Sequence, residues 1–367
     1  MGARRPSRQL AENMAGNLRG AVHVHTSPAT MAPDDPLGSL IACCDTPDGI
    51  PLPAHGQTLA RWRLFSDIAA AHGAVAIKLF EAHADALAIL MEIAQARPER
   101  DTRWAVWAAE PPDARVQARA AVDADTRALA ARTGIDRGRP VRLDGRKAWC
   151  SGARAVSHAL VTCHDGNGGA LIAAIDVHGP GVRITDDGWH AVGMRDTGSG
   201  DVLLDNCPAL QIGPAGAYLD RPGFWHGGAG IAACWYGAVL PFEQAVRRAV
   251  CRHGDPHAAA HLGAIDSDLH AAAALLRESA GWIDAHPRAD AWVPAMRLRA
   301  TVEATVQRVM RRAGNVLGAG PLCRDARLAA LFADLPVLLR QSHAERDLAT
   351  LGDRLSQSEL GEGGYRP

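Results

Sequence analysis

Between Val141 and Leu210 the chain reads as a run of short strands. Apolar and polar residues alternate from Val141 to Asp144 and again from Asp201 to Asp205. Val156–Cys163 and Ala170–Val177 are more continuously apolar, and Gly-rich or Asp-rich turns separate the runs. Upstream the period changes. Leu59, Trp62, Phe65, Ile68, Ala76, Phe80, Leu87, Leu90 and Ile93 recur at helical spacing over Thr58–Ala96, softened at Gly73 and closed by Arg97-Pro98. Downstream of a Gly/Pro linker (213–223), four helices are predicted: Phe224–His253, His257–Ala285, Ala289–Asn315 and Pro321–Leu351. The pattern predicts an α+β chain in three parts: a helical part over 1–103, a β part over 104–212 and a helical bundle over 213–367.

Composition narrows the class. The chain has 367 residues, 47% of them hydrophobic, and a formal net charge of −1, so it lacks the basic footprint of a nucleic-acid binder. Of 39 basic residues only Lys78 and Lys147 are lysines, an Arg bias that carries no function. The eight cysteines never form a C-x-x-C pair, which fits reduced thiols in a cytoplasmic protein. Arg4-Arg5 is followed by no apolar stretch of signal type. The longest apolar run, near Ile231–Phe242, is too short to cross a bilayer, so no membrane insertion is expected. His23 and His25, two apart, have no acidic or thiol partner nearby and are not read as a metal site. Asp113–Arg139, polar and Arg-rich, reads as a solvated insertion.

Two motifs carry the chemistry. The first is Asp-Gly-Arg-Lys-Ala-Trp-Cys-Ser-Gly-Ala (144–153); the second is Gly-Met-Arg-Asp-Thr-Gly-Ser-Gly-Asp (193–201). Their pairing at this separation resembles the middle domain of the acyl-CoA dehydrogenase family. The order of helices, β-domain and helical bundle resembles it over nearly the whole chain. The resemblance implies a helical N-terminal domain, a middle β-barrel-like domain and a C-terminal four-helix bundle. It implies FAD as cofactor, an acyl thioester of CoA or of an acyl carrier protein as substrate, and a homodimer or homotetramer. Flavin would do the redox chemistry, taking a β-hydride at N5 while a carboxylate removes the α-proton.

Carried over residue by residue, Trp149 would pack its indole against the flavin and Ser151 would offer its hydroxyl to the ring, the two sharing one strand face. Trp104–Glu110 ends in Glu-Pro-Pro where the family has Thr-Glu-Pro, with Ala109 in the Thr place, so a contact there would come from backbone N–H. Asn315, Gly318 and Ala319, in a segment similar to the family's Gly-rich one, would approach the pyrophosphate. Arg324-Asp325-Ala326 matches the family's next motif. The companion Arg-x-x-Phe-Gly is kept only as Arg252-His253-Gly254-Asp255.

The base is displaced. The common glutamate position falls on Ala333, with Asp334 beside it, and the alternative position falls near Gly227. Asp334 is therefore the candidate α-proton base, against a helix-cap role for the same side chain. His226, or His343 with Glu345, is the other source of a base. Two further readings are a chain that lost catalysis and serves as the partner subunit of a hetero-oligomer, and a flavin monooxygenase-type relative that uses oxygen.

Overall fold

The computed structural model describes residues 35–43, 49–99 and 101–357. His23 and His25 lie outside them. After the short helix α1 (Pro36–Cys43), helix α2 (Thr58–Ile89) folds in two arms, because Gly73 takes φ 89° and ψ −177° at the break. A left-handed, non-helical residue costs least as Gly. Phe65 of the first arm meets Phe80 of the second edge to face, with ring centroids 6.2 Å apart. A π-turn (Leu90–Ala94) ends the second arm.

The β part forms a closed barrel. Its strands are β1 (Trp104–Trp107), β2 (Val116–Ala120), β3 (Arg139–Lys147), β4 (His158–His164), β5 (Ala170–Asp176), β6 (Val182–Ile184) and β7 (Val202–Gln211). Pairing runs β4-β2-β3-β7-β5 and returns from β5 to β4, with β1 on β4 and β6 on β7. The segment expected to be a solvated insertion is corrected. It supplies β2, whose Val116 is fully buried, and helix α3 (Ala124–Thr133), which Asp123 starts with a capping box. Five residues alternating around Gln117 and Arg119 are too short to outweigh the surrounding charge in a sequence window.

β1 and β2 share one edge of β4 without meeting: β1 pairs over His158–Val161 and β2 only at His164. Lys147 fills the gap. Fully buried, its Nζ donates to Thr162 O (2.8 Å), Thr162 Oγ1 (2.6 Å) and Glu110 Oε1 (3.2 Å). His164 Nε2 lies 2.8 Å from the other Glu110 oxygen. Burial raises the Glu110 carboxyl, but the hydrogen bonds from Thr162 and His164 and the charge of Lys147 outweigh it and hold the group low.

The rest is helical: α4 (Ala217–Asp220), α5 (Gly223–His253), α6 (Pro256–Ala285), α7 (Trp292–Leu317), α8 (Ala319–Arg324), α9 (Ala326–Leu338) and α10 (Glu345–Ser356). The predicted fourth bundle helix is instead three. Asp325 leaves helical geometry to cap α9, accepting the N–H groups of Arg327 and Leu328, and Ala344 takes φ 50° before α10. Among the described residues, no helix is long and apolar enough to cross a membrane.

Candidate functional site

β3 ends at Lys147, so Trp149 and Ser151 lie in a turn and not on a common strand face. The reason is local. Trp149 adopts the left-handed region at φ 57°, Cys150 N–H reaches across to Gly200 O (2.9 Å), and Gly152 N–H to Thr197 O (2.8 Å). Trp107 Nε1 holds the turn from β1 through Ser151 O at 3.1 Å. A non-Gly residue with positive φ is strained, and such strain gathers where a side chain must be aimed. Here it aims an indole outward: Trp149 is 52% exposed beside a buried turn.

Ser151 begins a chain of hydroxyls. Its Oγ lies 2.7 Å from Ser199 Oγ, which lies 2.7 Å from Thr197 Oγ1, which donates to Met194 O at 2.7 Å. Each hydroxyl has one proton. With Thr197 giving its proton to the carbonyl, Ser199 must donate to Thr197 and Ser151 to Ser199. Ser151 therefore turns lone pairs, not a proton, toward anything placed beyond it. Both second-motif hydroxyls are buried, Ser199 and Thr197 alike.

Asp334 lies within α9, not at its start, so the helix-cap role is corrected. Its Oδ1 accepts Met194 N–H at 2.6 Å. Burial raises the Asp334 carboxyl, that hydrogen bond opposes the rise, and the Asp196 charge adds to it. Gly193 allows the approach, since a Cβ there would collide with the Ala333 carbonyl.

The other sequence candidates are spread more widely. Ala109 is half-buried where β1 ends, one residue before Glu110. Asn315, Gly318 and Ala319 are exposed at the α7–α8 junction, where Gly318 at φ 61° caps α7 through Gly314 O (3.0 Å). His343 is largely exposed and paired with Asp347 (Nδ1 to Oδ1, 3.2 Å), while Glu345 opens α10. His226 is buried with no partner on Nε2, and burial lowers its basicity.

Two features escaped the sequence. One is a cleft of about 200 Å3 between barrel and helices, lined by Ala108, Glu110, Thr162, Leu171, Tyr218 and Phe224. The other is a charged seam between the arms of α2 and helix α5, built from Arg61, Glu81, Asp85 and Arg221. The only sequence signal for the seam was Lys78, Glu81 and Asp85 at helical spacing inside an otherwise apolar run.

No family model matches the chain. An L-evernosamine nitrososynthase from Micromonospora sp. is 36% identical over 87 residues, which is 21% of this chain and 20% of that protein. The match thus spans a fifth of the relative. Among solved structures, TdsC from Paenibacillus sp. A11-2, in complex with FMN and indole, superposes with a TM-score of 0.68 at 17% identity. That alignment covers 81% of this chain and 83% of that one. The methanesulfinate monooxygenase MsuC from Pseudomonas fluorescens gives a TM-score of 0.58 at 20% identity, covering 88% and 89%. At these identities the likeness is one of fold.

Proposed function

From the premise that the chain has the acyl-CoA dehydrogenase-type fold, we propose that it is a flavin-dependent monooxygenase acting on a heteroatom-bearing small molecule. The observation that carries this is Trp149: a strained, half-exposed indole beside Ser151, in a fold whose relative TdsC binds FMN. An aromatic wall next to a fixed hydroxyl suits a flavin ring. A bound reduced flavin supplies the activation of oxygen; the chain supplies orientation and water exclusion.

In this reading Trp149 packs on the ring, and the Ser151 lone pairs accept from a ring N–H. Ser199 and Thr197 fix the Ser151 rotor, and Ala109 contributes backbone. Two observations favour oxygenation over dehydrogenation. Neither usual base position carries a carboxylate, being Ala333 and Gly227, and Asp334 is already bonded to Met194. The relatives named above are monooxygenases and a nitrososynthase. FMN is the preferred cofactor, because the Phe of the Arg-x-x-Phe-Gly segment is absent. FAD would need Asn315, Gly318 and Ala319 at its pyrophosphate, an exposed site that a second copy would have to cover in a homodimer or homotetramer.

One observation favours a second reading, dehydrogenation of an acyl thioester with Asp334 as base: burial raises its carboxyl, as an α-proton base requires. The experiment is the same for both. The purified chain is loaded with FMN or FAD and tested for substrate-linked oxygen uptake with a flavin reductase. It is tested in parallel for anaerobic bleaching by a set of acyl-CoAs. Oxygen uptake without bleaching supports the monooxygenase, and bleaching supports the dehydrogenase. A chain that takes up flavin only beside a second, different chain is a partner subunit.

A further inference from the structure

The cleft between barrel and helices has two unlike walls, and the first is apolar. Gly216, at φ 83°, starts the single turn α4, and its N–H reaches Ala170 O of β5 at 2.9 Å. That turn sets Tyr218 and Leu219 on the cleft. Tyr218 is fixed from two sides. The Arg221 guanidinium sits over its ring, 5.6 Å from Cζ to centroid, and Phe224 meets it edge to face at 5.2 Å. Leu219 is 51% exposed at the same place. An exposed Leu standing alone needs no explanation, but beside an aromatic wall it extends one apolar surface.

The second wall is polar and nearly saturated. Thr162, His164 and Lys147 hold the Glu110 carboxyl low, so at neutral pH it is ionised and can only accept. A carboxylate accepts at about four positions. Lys147 Nζ and Thr162 Oγ1 (2.7 Å) occupy two on Oε1, and His164 Nε2 occupies one on Oε2. Among the described residues nothing occupies the fourth, and Glu110 lines the cleft with 28% of its side chain accessible. The Thr162 proton is committed to Glu110, so this wall presents a ligand with one acceptor and no hydroxyl donor. An anionic ligand would face the carboxylate. A cation gains little, because the fully buried Lys147 already balances Glu110, and it would give up hydration to enter.

We propose that this cleft is the substrate site and takes a neutral aromatic molecule of one or two rings, packed on Tyr218 and Leu219, whose O–H or N–H donor bonds Glu110. Size agrees with this class: the cleft holds about 200 Å3, and about 150 Å3 suffices for benzene. The assignment deepens the monooxygenase reading by naming the substrate class, and it rests on that reading only for the reaction, not for binding. The candidate flavin turn is tied to the same wall twice. Lys147, which reaches Glu110, stands two residues before Trp149. Trp107, whose Nε1 holds Ser151 O, stands one residue before Ala108 of the cleft.

The test is equilibrium dialysis of the full chain, with and without FMN, against 2-naphthol, 2-methoxynaphthalene and 2-naphthoate. Phenol, anisole and benzoate form the matching one-ring series. At least one hydroxyl probe is expected to saturate in either condition, its methyl ether to bind about tenfold more weakly, and its carboxylate more weakly still. Glu110→Gln replaces a charged acceptor by a neutral one. It should bring hydroxyl and ether to within about threefold and admit the carboxylate, since Lys147 is then unbalanced. Leu219→Ser should weaken hydroxyl and ether alike, by about threefold, with the urea midpoint unchanged because Leu219 is half in solvent. Should Glu110→Gln unfold through loss of the Lys147 pair, the Leu219→Ser arm and the analogue series decide alone. The proposal is overturned if no hydroxyl probe binds, if hydroxyl and ether bind alike in the parent, or if a folded Glu110→Gln keeps their ratio. It is equally overturned if Leu219→Ser leaves both affinities intact, which puts the probe elsewhere, or if FMN expels the probe, which makes the cleft the flavin's. Binding beside FMN without oxygen uptake would sink the monooxygenase reading and keep the cleft; oxygen uptake on other substrates without binding of any hydroxyl probe would do the opposite.

Discussion

The backbone N–H of Met194 donates to Oδ1 of Asp334 across 2.6 Å, and that bond ties helix α9 to the loop bearing Thr197 and Ser199. The loop in turn sets the proton order of the Ser151 hydroxyl. A helix in the bundle therefore fixes which way a barrel turn presents its lone pairs.

Asp334→Asn and Asp334→Ala separate this structural role from a catalytic one. The folded carboxyl is raised, so its protonated form is the better fit: the stability linked to it is full at acid pH and declines as pH rises through the folded value. Asn keeps the acceptor without the charge. At pH 7 Asp334→Asn should be as stable as the parent or slightly more so. Asp334→Ala should lose about 1–3 kcal/mol, because Met194 N–H is left unpaired. Urea melts of both variants measure this. If Asp334 is instead the base, Asp334→Asn abolishes flavin reduction by a thioester.

Trp149→Ala should leave the urea midpoint nearly unchanged, because the indole is half in solvent. Flavin binding is where the loss should show. Aromatic contact contributes about 0.5–1.5 kcal/mol beyond buried area, so affinity should fall by about threefold to tenfold. Titration of the variant with FMN, followed by flavin fluorescence, reads the change. An unchanged dissociation constant would remove Trp149 from the site.

Ser199→Ala interrupts the hydroxyl chain at its middle, leaving Ser151 free to rotate and Thr197 without its donor. A cost of about 1–2 kcal/mol in stability is expected. A shift in the spectrum of bound flavin should accompany it, since Ser151 can then donate where it had accepted. A double-mutant cycle with Ser151→Ala should be strongly non-additive if the two act as one chain. Additive losses would argue against it.

The barrel and the helical order were legible because long periodic stretches dominate their own windows, as in Thr58–Ile89 and Gly223–His253. β2 was not, since Gln117 and Arg119 face solvent and hide Val116. The Trp149 turn was misread as strand because nothing local announces a left-handed Trp; the conformation is imposed by Gly200 and Thr197, about fifty residues on. Trp149, Ser151 and Asp334 were found by motif. The seam was not, because Arg61 and Asp85 meet only through the break at Gly73, and a fold-back of two helical arms leaves no fixed spacing to read.

His83 gives a pH prediction with a definite sign. Its Nδ1 accepts Trp104 N–H at 3.1 Å, joining α2 to the first barrel strand, so the ring must be neutral with its proton on Nε2. Burial, helped by the charge of Arg61, lowers its pKa from 6.5 to about 4. Because the unfolded chain binds a proton in that interval and the folded one does not, the stability linked to His83 is complete above pH 6.5. It declines as pH falls toward 4 and changes no further below. The interval corresponds to about 3 kcal/mol. Carboxylates titrate over part of the same range, so the wild type alone cannot isolate the effect. His83→Asn places an amide oxygen near the position of Nδ1 and removes the titration. Urea melts at pH 7 and pH 4.5 should show a smaller loss for His83→Asn than for the wild type, by about 2 kcal/mol. Equal losses would mean that the ring titrates alike in the folded and unfolded chain, so that burial and the Trp104 N–H do not hold it neutral.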